Sequence, residues 1–495
     1  MNILFLTLSN MENINQRGIY TDLVRELSKR GINMYVVSPR EKRQNLPTEF
    51  VSEGNINILK VKTGNITKTK SFIEKGISTI RIEDQYLNAI IKYFKNIKFD
   101  MVIYSTPPIT FNKIIRYFKK RDNSKTYLML KDIFPQNAVD IGAMKYGSLL
   151  WKYFRKKEIN LYKNSDMIGC MSQGNVGYIL KQNPFIDKNK VEIFPNAIKP
   201  IERIETRIKD KEVLKKLNIP FNSTLFVYGG NLGKPQGIDF LLEVGDNFYK
   251  VDNGYLLIVG SGTEYSKIES FIKNRKPKNV SLYERLPKDE YDKLISSADV
   301  GLIFLDKRFT IPNFPSRLTS YMENSLPILA ATDVNTDLKD VIRESNSGFW
   351  CESGDINSFI EYANKLSTDE ELRKEMEKEI RVLDKAAERY AKLAFKTIPS
   401  KKIKITRGDE PLRIYTWNSG SAKTAMELEK YKTVEINLTD GDLNKIAEKC
   451  NIPRKYTWEE PLVLSGGILS SIINKEPQNG EQVMVFSFGS VVFIN

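Results

Sequence analysis

The residues best suited to chemistry in this chain are glycines and cations near its middle. Residues 224–239 read TLFVYGGNLGKPQGID, an apolar run typical of a buried strand, then three glycines, then Lys234. Glycines let a backbone approach a ligand closely, and the N-terminus of the helix expected after Gly237 offers unpaired N–H groups and a positive dipole end. Together with the charge of Lys234, these features favour a ligand that carries phosphate.

The spacing of these glycines narrows the class of phosphate site. The segment lacks the GxxxxGK[ST] pattern of a P-loop and the GxGxxG pattern of an ordinary dinucleotide fold, so both classes are disfavoured. A plain strand–turn–helix unit without a ligand stays open as the alternative.

Residues that are scarce or missing exclude several other chemistries. The chain of 495 residues has no histidine, which removes Ser-His-Asp triads, Cys-His dyads and histidine zinc sites. Acid or base catalysis must therefore use Asp, Glu, Lys, Tyr or a substrate group. Its three cysteines are scattered and odd in number, which argues against a disulfide framework and for a reducing compartment.

The formal charge of +15 suggests acidic partners such as nucleic acid, anionic lipid or phosphorylated ligands. The more common explanation of such a charge is a solvated, lysine-rich surface. No apolar run approaches the roughly 18 residues of a membrane span, and no basic segment precedes the first apolar run. We therefore expect a cytoplasmic protein that at most visits the inner face of the membrane.

Alternating strands and helices must position these residues. An apolar strand at 2–8, a helix from Thr21 to Gly31 and a second strand predict a right-handed parallel unit, with Gly18 in the loop where ligands enter such sheets. The segments 99–110 and 125–144 each hold a strand that ends in a polar loop. These loops would bring Ser105, Thr106, Lys131 and Asp132 together in a cleft, with Asp140 nearby, although a turn or helix-cap role for Asp132 stays open.

The segment 149–163, LLWKYFRKKEINLYK, alternates aromatic residues with cations. A basic aromatic helix can lie on anionic lipid. The interpretation favoured from the sequence is instead a helix that packs Leu149, Tyr153, Phe154 and Leu161 inward and leaves its lysines in water.

A second alternation of strands and helices starts after Pro220, so the fold class predicted is α/β with two doubly wound domains facing a cleft. The predicted domains are Rossmann-like, one at 1–198 and one at 199–380. A helix and linker at 381–401 then lead to a small α+β accessory module at 402–495.

Several motifs resemble one known family over residues 1 to about 380. GGNLGKPQG, IVGSG and PSRLTSYMENSLPILAAT resemble the C-terminal half of the two-domain retaining glycosyltransferases that build capsule and O-antigen polysaccharides, in family four, with WbuB-like and CapM-like members. YSTPPIT and LMLKDIFPQNAVDIG are similar to the N-terminal half. The resemblance implies a GT-B fold in which 1–198 form an acceptor domain and 199–380 form a nucleotide-sugar-binding domain. The C-terminal domain would mainly hold the nucleoside-diphosphate sugar, without a metal or cofactor.

The resemblance also implies roles for individual residues. Lys234 and Arg317 would neutralise the leaving diphosphate, Ser316 would cap the helix that starts at Arg317, and Asp132 would meet the acceptor hydroxyl. The other substrate-binding residues expected are Gly18, Thr106, Lys131, Gly230, Asn231, Leu232, Gly233, Gly260, Gly262, Arg285, Leu286, Asn313, Phe314, Ser316, Ser320 and Glu323.

Two departures from the family pattern bear on function. Two glutamates that the family commonly carries fall here on Pro312 and Ser320, so Glu323 is the expected substitute, and the family's histidine near Lys131 is absent. The sugar contacts would then come from the amides of Asn313 and Phe314.

The partners implied are a nucleoside-diphosphate sugar, a UDP-sugar first, and a polyprenyl-diphosphate-linked or saccharide acceptor at an anionic membrane surface. Three other classes stay open: a non-catalytic nucleotide-sugar-binding scaffold, a GT-B sugar epimerase, and a nucleic-acid binder. The epimerase is disfavoured because such enzymes depend on histidines, and no recognition motif supports nucleic acid.

Overall fold

The computed structural model describes residues 1–66, 72–199 and 209–380, together with five short strands farther along the chain. The chain divides into two units, Met1–Asp384 and Lys385–Asn495. The helix and linker predicted at 381–401 lie outside the described residues.

The first half of the first unit, here the N-terminal lobe, is an eight-stranded sheet covered by helices. Its strands occur in the order β3-β4-β2-β1-β5-β6-β7-β8, and all neighbours are parallel except the edge pair β3 and β4. The strands are β1 (Asn2–Leu6), β2 (Asn33–Glu41), β3 (Glu49–Glu53), β4 (Ile56–Thr63), β5 (Met101–Ser105), β6 (Lys125–Leu130), β7 (Met167–Cys170) and β8 (Val191–Ile193). The helices are α1 (Ile19–Lys29), α2 (Phe72–Tyr93), α3 (Asn112–Asp122), α4 (Gln136–Asp140), α5 (Leu149–Asn164) and α6 (Gln173–Gln182).

The second half, here the C-terminal lobe, has six parallel strands in the order β11-β10-β9-β12-β13-β14. The strands are β9 (Thr224–Asn231), β10 (Gly254–Ser261), β11 (Val280–Tyr283), β12 (Val300–Phe304), β13 (Ile328–Thr332) and β14 (Gly348–Glu352). The helices are α7 (Lys211–Lys216), α8 (Ile238–Asn247), α9 (Tyr265–Arg275), α10 (Lys288–Ser297), α11 (Arg317–Glu323), α12 (Leu338–Glu344) and α13 (Ile356–Thr368). A second parallel-stranded sheet therefore follows residue 220, as the sequence predicted.

Apolar strands explain both sheets. In β1 the run from Ile3 to Leu6 is fully buried, as a parallel strand covered by helices on both faces requires. In each lobe the sheet extends to both sides of its first strand. Strand β1 lies between β2 and β5, and β9 lies between β10 and β12, so the strand order switches sides there. Ligands bind at the carboxyl ends of strands at such switch points, so the loops that contain Gly18 and Gly233 are well placed to bind one.

Loops at the carboxyl ends of the two sheets contact each other. The Asp337 carboxylate of the C-terminal lobe accepts hydrogen bonds from Ser172 Oγ and from the Gly174 N–H at the start of α6, each 2.7 Å long. On the other side, the Asp140 carboxylate accepts from the backbone N–H of Thr310 at 2.8 Å. The two edges therefore face each other across one cleft.

The sequence placed most elements correctly and misjudged some of their limits. The helix expected from Thr21 to Gly31 begins at Ile19 and ends at Lys29, and the edge strand β3 was not expected. The second unit contributes a two-stranded antiparallel pair and a three-stranded antiparallel sheet: β15 (Ile405–Arg407), β16 (Glu410–Leu412), β17 (Leu462–Ser465), β18 (Gln482–Val485) and β19 (Val491–Ile494).

Candidate functional site

The glycine loops at the ends of β9 and β10 pack backbone against backbone. The two strands stay in register to the pairs Gly230–Gly260 and Asn231–Ser261. A methyl group added at Gly260 would lie 2.0 Å from the Gly230 carbonyl oxygen, and one added at Gly262 would lie 2.2 Å from the Leu232 carbonyl oxygen. Only glycine fits at these positions, and the result is an exposed floor of main chain at the carboxyl edge of the sheet.

The amides of this loop already have partners. The N–H of Leu232 donates to the Ser261 carbonyl at 3.0 Å, and the Leu232 side chain is fully buried. The N–H of Gly233 and the Nδ2 of Asn231 both donate to Gln236 Oε1, at 3.2 and 2.7 Å. A phosphate oxygen would therefore replace Gln236 at Gly233 and Asn231, whereas the Leu232 amide belongs to the fold.

Arg317 brings a cation to the same loop from α11. Its guanidinium stacks on the ring of Tyr228, with 4.2 Å between the guanidinium carbon and the ring centroid. Its Nη1 is buried and has no acceptor among the described residues, and its Nη2 would lie 3.4 Å from a methyl group at Gly230, whose φ is +139°. Such a cation is costly unless an anion meets it, so the arrangement suits a phosphate beside Gly230.

Lys234 and Ser316 flank this position. Lys234 is exposed at the start of a short 3-10 turn, Lys234–Gln236, four residues after Gly230. Ser316 does occupy the N-cap position of α11, but the prediction that its side chain caps the helix is wrong, since its Oγ makes no cap bond and its backbone is helical. The Ser316 carbonyl instead accepts from Thr319 Oγ1 at 2.8 Å.

In the N-terminal lobe, Thr106 organises the turn after β6. Its Oγ1 accepts the N–H groups of Lys131 and Asp132 and donates to the Asp132 carbonyl, all at 3.0 Å. The Asp132 carboxylate accepts from Asn137 Nδ2 at 2.6 Å. Thr106 is buried, so it sets the position of the turn rather than an exposed contact surface.

The Lys131 ammonium faces the interior of this lobe. It donates to the Phe194 carbonyl at 3.2 Å and lies 5.1 Å from the centroid of the Phe194 ring. Burial lowers the pKa of Lys131 to about 7, although the neighbouring Cys170 opposes the shift. The backbone at Lys131, more than its charge, is therefore what reaches the cleft.

The two lobes meet around a small cavity. Lys131 and Asp132 line it from one side, and Asn313 and Phe314 line it from the other. The Nδ2 of Asn313 is buried without an acceptor among the described residues. The structure thus brings together sequence-predicted residues from both lobes, at a position where an amide donor lacks a partner.

Glu323 lies in the cleft next to a residue that the sequence analysis missed. Its buried carboxylate forms an ion pair with Arg17 of the N-terminal lobe, and Arg17 also donates to the Lys199 carbonyl at 3.0 Å. Arg17 directly precedes Gly18, the N-cap residue of α1. A lone cation in a polar loop at the carboxyl edge of a sheet is the sequence pattern that could have indicated it. Ser320 is half-buried one turn before Glu323.

The loop after β11 holds the remaining predicted residues. Arg285 is exposed, and Leu286 is half-buried against the core of the C-terminal lobe.

The sequence analysis also missed two other residues of the site, Tyr228 and Asn175. Asn175 donates to the Pro312 carbonyl, and it lines the cavity between the lobes.

Two features are absent from the part of the chain that the structure describes. No group of three or more His, Cys, Asp or Glu side chains in this part of the chain is arranged to hold a metal ion. Among the helices that the structure describes, none has both the length and the apolar character needed to cross a bilayer.

Several known proteins that this chain is similar to are glycosyltransferases. Residues 209–382 match the family model described as Glycosyl transferases group 1. WbjE of Pseudomonas aeruginosa, a probable glycosyltransferase, is 22% identical over 258 residues, which cover 52% of this chain and 63% of WbjE. WcaI of Escherichia coli (strain K12), a putative colanic acid biosynthesis glycosyl transferase, is 23% identical over 230 residues, which cover 45% of this chain and 55% of WcaI. The chain therefore spans less than two thirds of either relative.

A solved structure shows the fold. HepE of Anabaena, crystallised with UDP and glucose, matches with a TM-score of 0.57 and 11% identity, and the match covers 80% of this chain and 99% of HepE. The two lobes therefore form a GT-B fold, and the residues that match the Glycosyl transferases group 1 model lie in the C-terminal lobe and just beyond its last described residue.

Proposed function

We propose that this protein is a retaining, metal-independent glycosyltransferase that moves a sugar from a nucleoside-diphosphate sugar to a saccharide or lipid-linked acceptor in surface polysaccharide synthesis. A UDP-sugar is the first donor to test, since HepE was solved with UDP. The observation that carries the proposal is the buried Arg317 Nη1 beside the main-chain floor at Gly230, because no acceptor meets it in the part of the chain that the structure describes.

The proposed reaction assigns a task to each part of the cleft. The acceptor oxygen bonds to the anomeric carbon while the diphosphate leaves with the electron pair of the broken C–O bond. Arg317 and Lys234 stabilise the charge that develops on the diphosphate. Asp132 orients the acceptor hydroxyl, whose proton passes to that carboxylate or to the departing oxygen.

A nucleotide-sugar panel tests this function on the full-length protein. Thermal shift identifies the donor, because a ligand that binds only the folded state raises the melting temperature. Release of nucleoside diphosphate with a saccharide acceptor, followed with and without EDTA, then measures transfer. Full activity of a folded Asp132→Asn variant would contradict the acceptor role, and loss of transfer in EDTA would contradict metal independence.

A second candidate is a nucleotide-sugar-binding scaffold subunit without turnover. Pro312 and Ser320 stand where the family commonly carries glutamates, and the Pro312 carbonyl is engaged by Asn175. Donor binding without transfer or hydrolysis across the panel would favour this candidate over the enzyme.

A further inference from the structure

A cavity of about 480 Å³ opens between α3 and α5 of the N-terminal lobe. None of the residues assigned above to the donor or acceptor site lines it. Polar, cationic and aromatic side chains form its walls: Asn112, Arg116, Tyr153, Lys156, Lys157 and Lys163.

The cavity is cationic. Within the part of the chain that the structure describes, its four cations form no ion pair. Lys157 lies 5.6 Å from the Tyr153 ring centroid, and Lys163 lies 5.2 Å from the centroid of another ring. Of the neighbouring carboxylates, Asp84 pairs with the Lys113 ammonium, and the buried Glu83 accepts the backbone N–H of Lys113 and interacts electrostatically with Lys157. Such a site suits phosphate groups.

The start of α5 exposes apolar side chains beside these cations. Leu149 is 87% exposed, Leu150 is 55% exposed and Tyr146, just before the helix, is 66% exposed. The prediction that Leu149 and Tyr153 pack inward is therefore wrong, while Leu161 at the other end of the helix is buried as expected. Adjoining large apolar side chains in water are typical of a surface that meets a partner or a membrane.

One stripe of α5 joins the apolar and cationic parts. Leu149, Tyr153, Lys156 and Lys163 are spaced by four, three and seven residues, which places them along one face of a helix. The side chains pass from apolar through aromatic to cationic. This order matches a bilayer surface, where acyl chains lie beneath anionic headgroups.

We propose that this surface, formed by Leu149, Leu150 and the four cavity cations, docks on an anionic lipid bilayer with a lipid phosphate in the cavity. A soluble polyanion would match the cations but leave both leucines in water. The surface is also close to the cleft along the chain, because Asp140 contacts Thr310 of the other lobe nine residues before Leu149. Docking here would present the cleft to a lipid-linked acceptor, so the proposal extends the proposed function without depending on turnover.

Vesicle sedimentation of the full-length protein tests the electrostatic part. We expect binding to phosphatidylcholine vesicles that contain phosphatidylglycerol, little binding without it, and weakening as salt rises. Each lysine near an anionic surface contributes about fivefold in affinity, so Lys156→Glu with Lys163→Glu should lower the partition coefficient about 25-fold or more. The matched control, Lys273→Glu with Lys278→Glu, makes the same charge change at exposed lysines of the C-terminal lobe and should lower it much less.

The apolar part needs a separate variant. Leu149→Ser with Leu150→Ser should weaken vesicle binding several-fold while keeping the salt dependence of the wild type, since the cations remain. UDP binding by the same variants should not change, which separates failure of this proposal from failure of the donor site. Absence of vesicle binding at low salt, equal losses in the control pair, or lysine-dependent binding of inorganic diphosphate without vesicle binding would each overturn the proposal.

Discussion

Arg17 of the N-terminal lobe and Glu323 of the C-terminal lobe form an ion pair across the cleft. The two partners differ in exposure, because the Glu323 side chain keeps 8% of its surface in water and the Arg17 side chain keeps 31%. The pair therefore joins the lobes through a buried carboxylate and a more hydrated guanidinium. Removing one partner should therefore change the free energy of unfolding by a different amount than removing the other.

Removing the guanidinium should cost more stability than neutralising the carboxylate. We expect Arg17→Ala to lower the free energy of unfolding by about 2–4 kcal/mol, because it leaves the buried Glu323 charge without this partner. Glu323→Gln keeps the side chain's shape and leaves a hydrated cation, so about 1 kcal/mol or less should be lost. Urea unfolding of both variants and of the double variant measures the difference, and equal losses would contradict it.

The buried guanidinium of Arg317, whose Nη1 has no acceptor among the described residues, should dominate diphosphate binding. Arg317→Met keeps much of the packing against Tyr228 and removes the charge. We expect UDP affinity to fall about 10- to 100-fold, the range for a charge-assisted hydrogen bond worth about 1.5–3 kcal/mol. Isothermal titration checks this value, with Lys273→Met as an exposed control. Unchanged UDP affinity in a folded variant would remove Arg317 from the donor site.

Lys234 should contribute less than Arg317, because it is exposed. An exposed charge contact is worth about 0.2–1 kcal/mol and is screened by salt. Lys234→Ala should therefore weaken UDP binding by a few-fold at low salt and by less at high salt. A larger loss than that of Arg317→Met would show that Lys234 is the principal phosphate contact.

The glycine loops should tolerate no side chain. Gly262→Ala would bring a methyl group 2.2 Å from the Leu232 carbonyl oxygen, so the backbone of the donor loop must move. We expect a loss of about 1–3 kcal/mol in stability together with weaker UDP binding. The matched control is Gly177→Ala in α6, where no heavy atom lies within 4 Å, and it should stabilise the protein by about 1 kcal/mol. Equal effects of the two substitutions would contradict the close approach of the loops.

Asp333 should make stability depend on pH. Burial raises the pKa of its carboxyl to about 6, although the backbone N–H groups of Asn335 and Thr336 oppose the shift. The native state thus keeps a proton that the unfolded chain releases, so this group's contribution to stability is present near pH 4 and is lost as pH rises through 6. Asp333→Asn keeps the acceptor oxygen and stays neutral.

The variant should therefore match the wild type near pH 4 and exceed it at pH 7 by about 2–3 kcal/mol, which is the equivalent of a shift of about two pKa units. Urea unfolding of both proteins at several pH values checks this. A constant difference across that range would show that the Asp333 carboxyl is not perturbed by folding.

The periodicity of the sequence predicted those elements that pack in the same way in any sheet covered by helices. The fully buried run of β1 and the apolar run of β9 are typical of parallel strands in any helix-covered sheet, and the glycines at the end of β9 marked the loop near Arg317. The buried face of helix α5 was harder to predict, because the position of an apolar residue on a helix does not reveal whether another element covers it. Leu161 meets the core, and Leu149, on the same helix, meets none of it.

The sequence alone determined the two alternating sheets, the glycine loop at the second switch point and the exclusion of histidine chemistry, because these follow from local pattern and composition. Only the tertiary structure decided that Glu323 pairs with Arg17 and that Lys131 turns inward. It also decided that the Leu232 amide donates to the Ser261 carbonyl and that the apolar side chains at the start of α5 are exposed to solvent. Each of these depends on which distant segments approach a side chain. A contact between residues 306 positions apart leaves no local mark in the sequence.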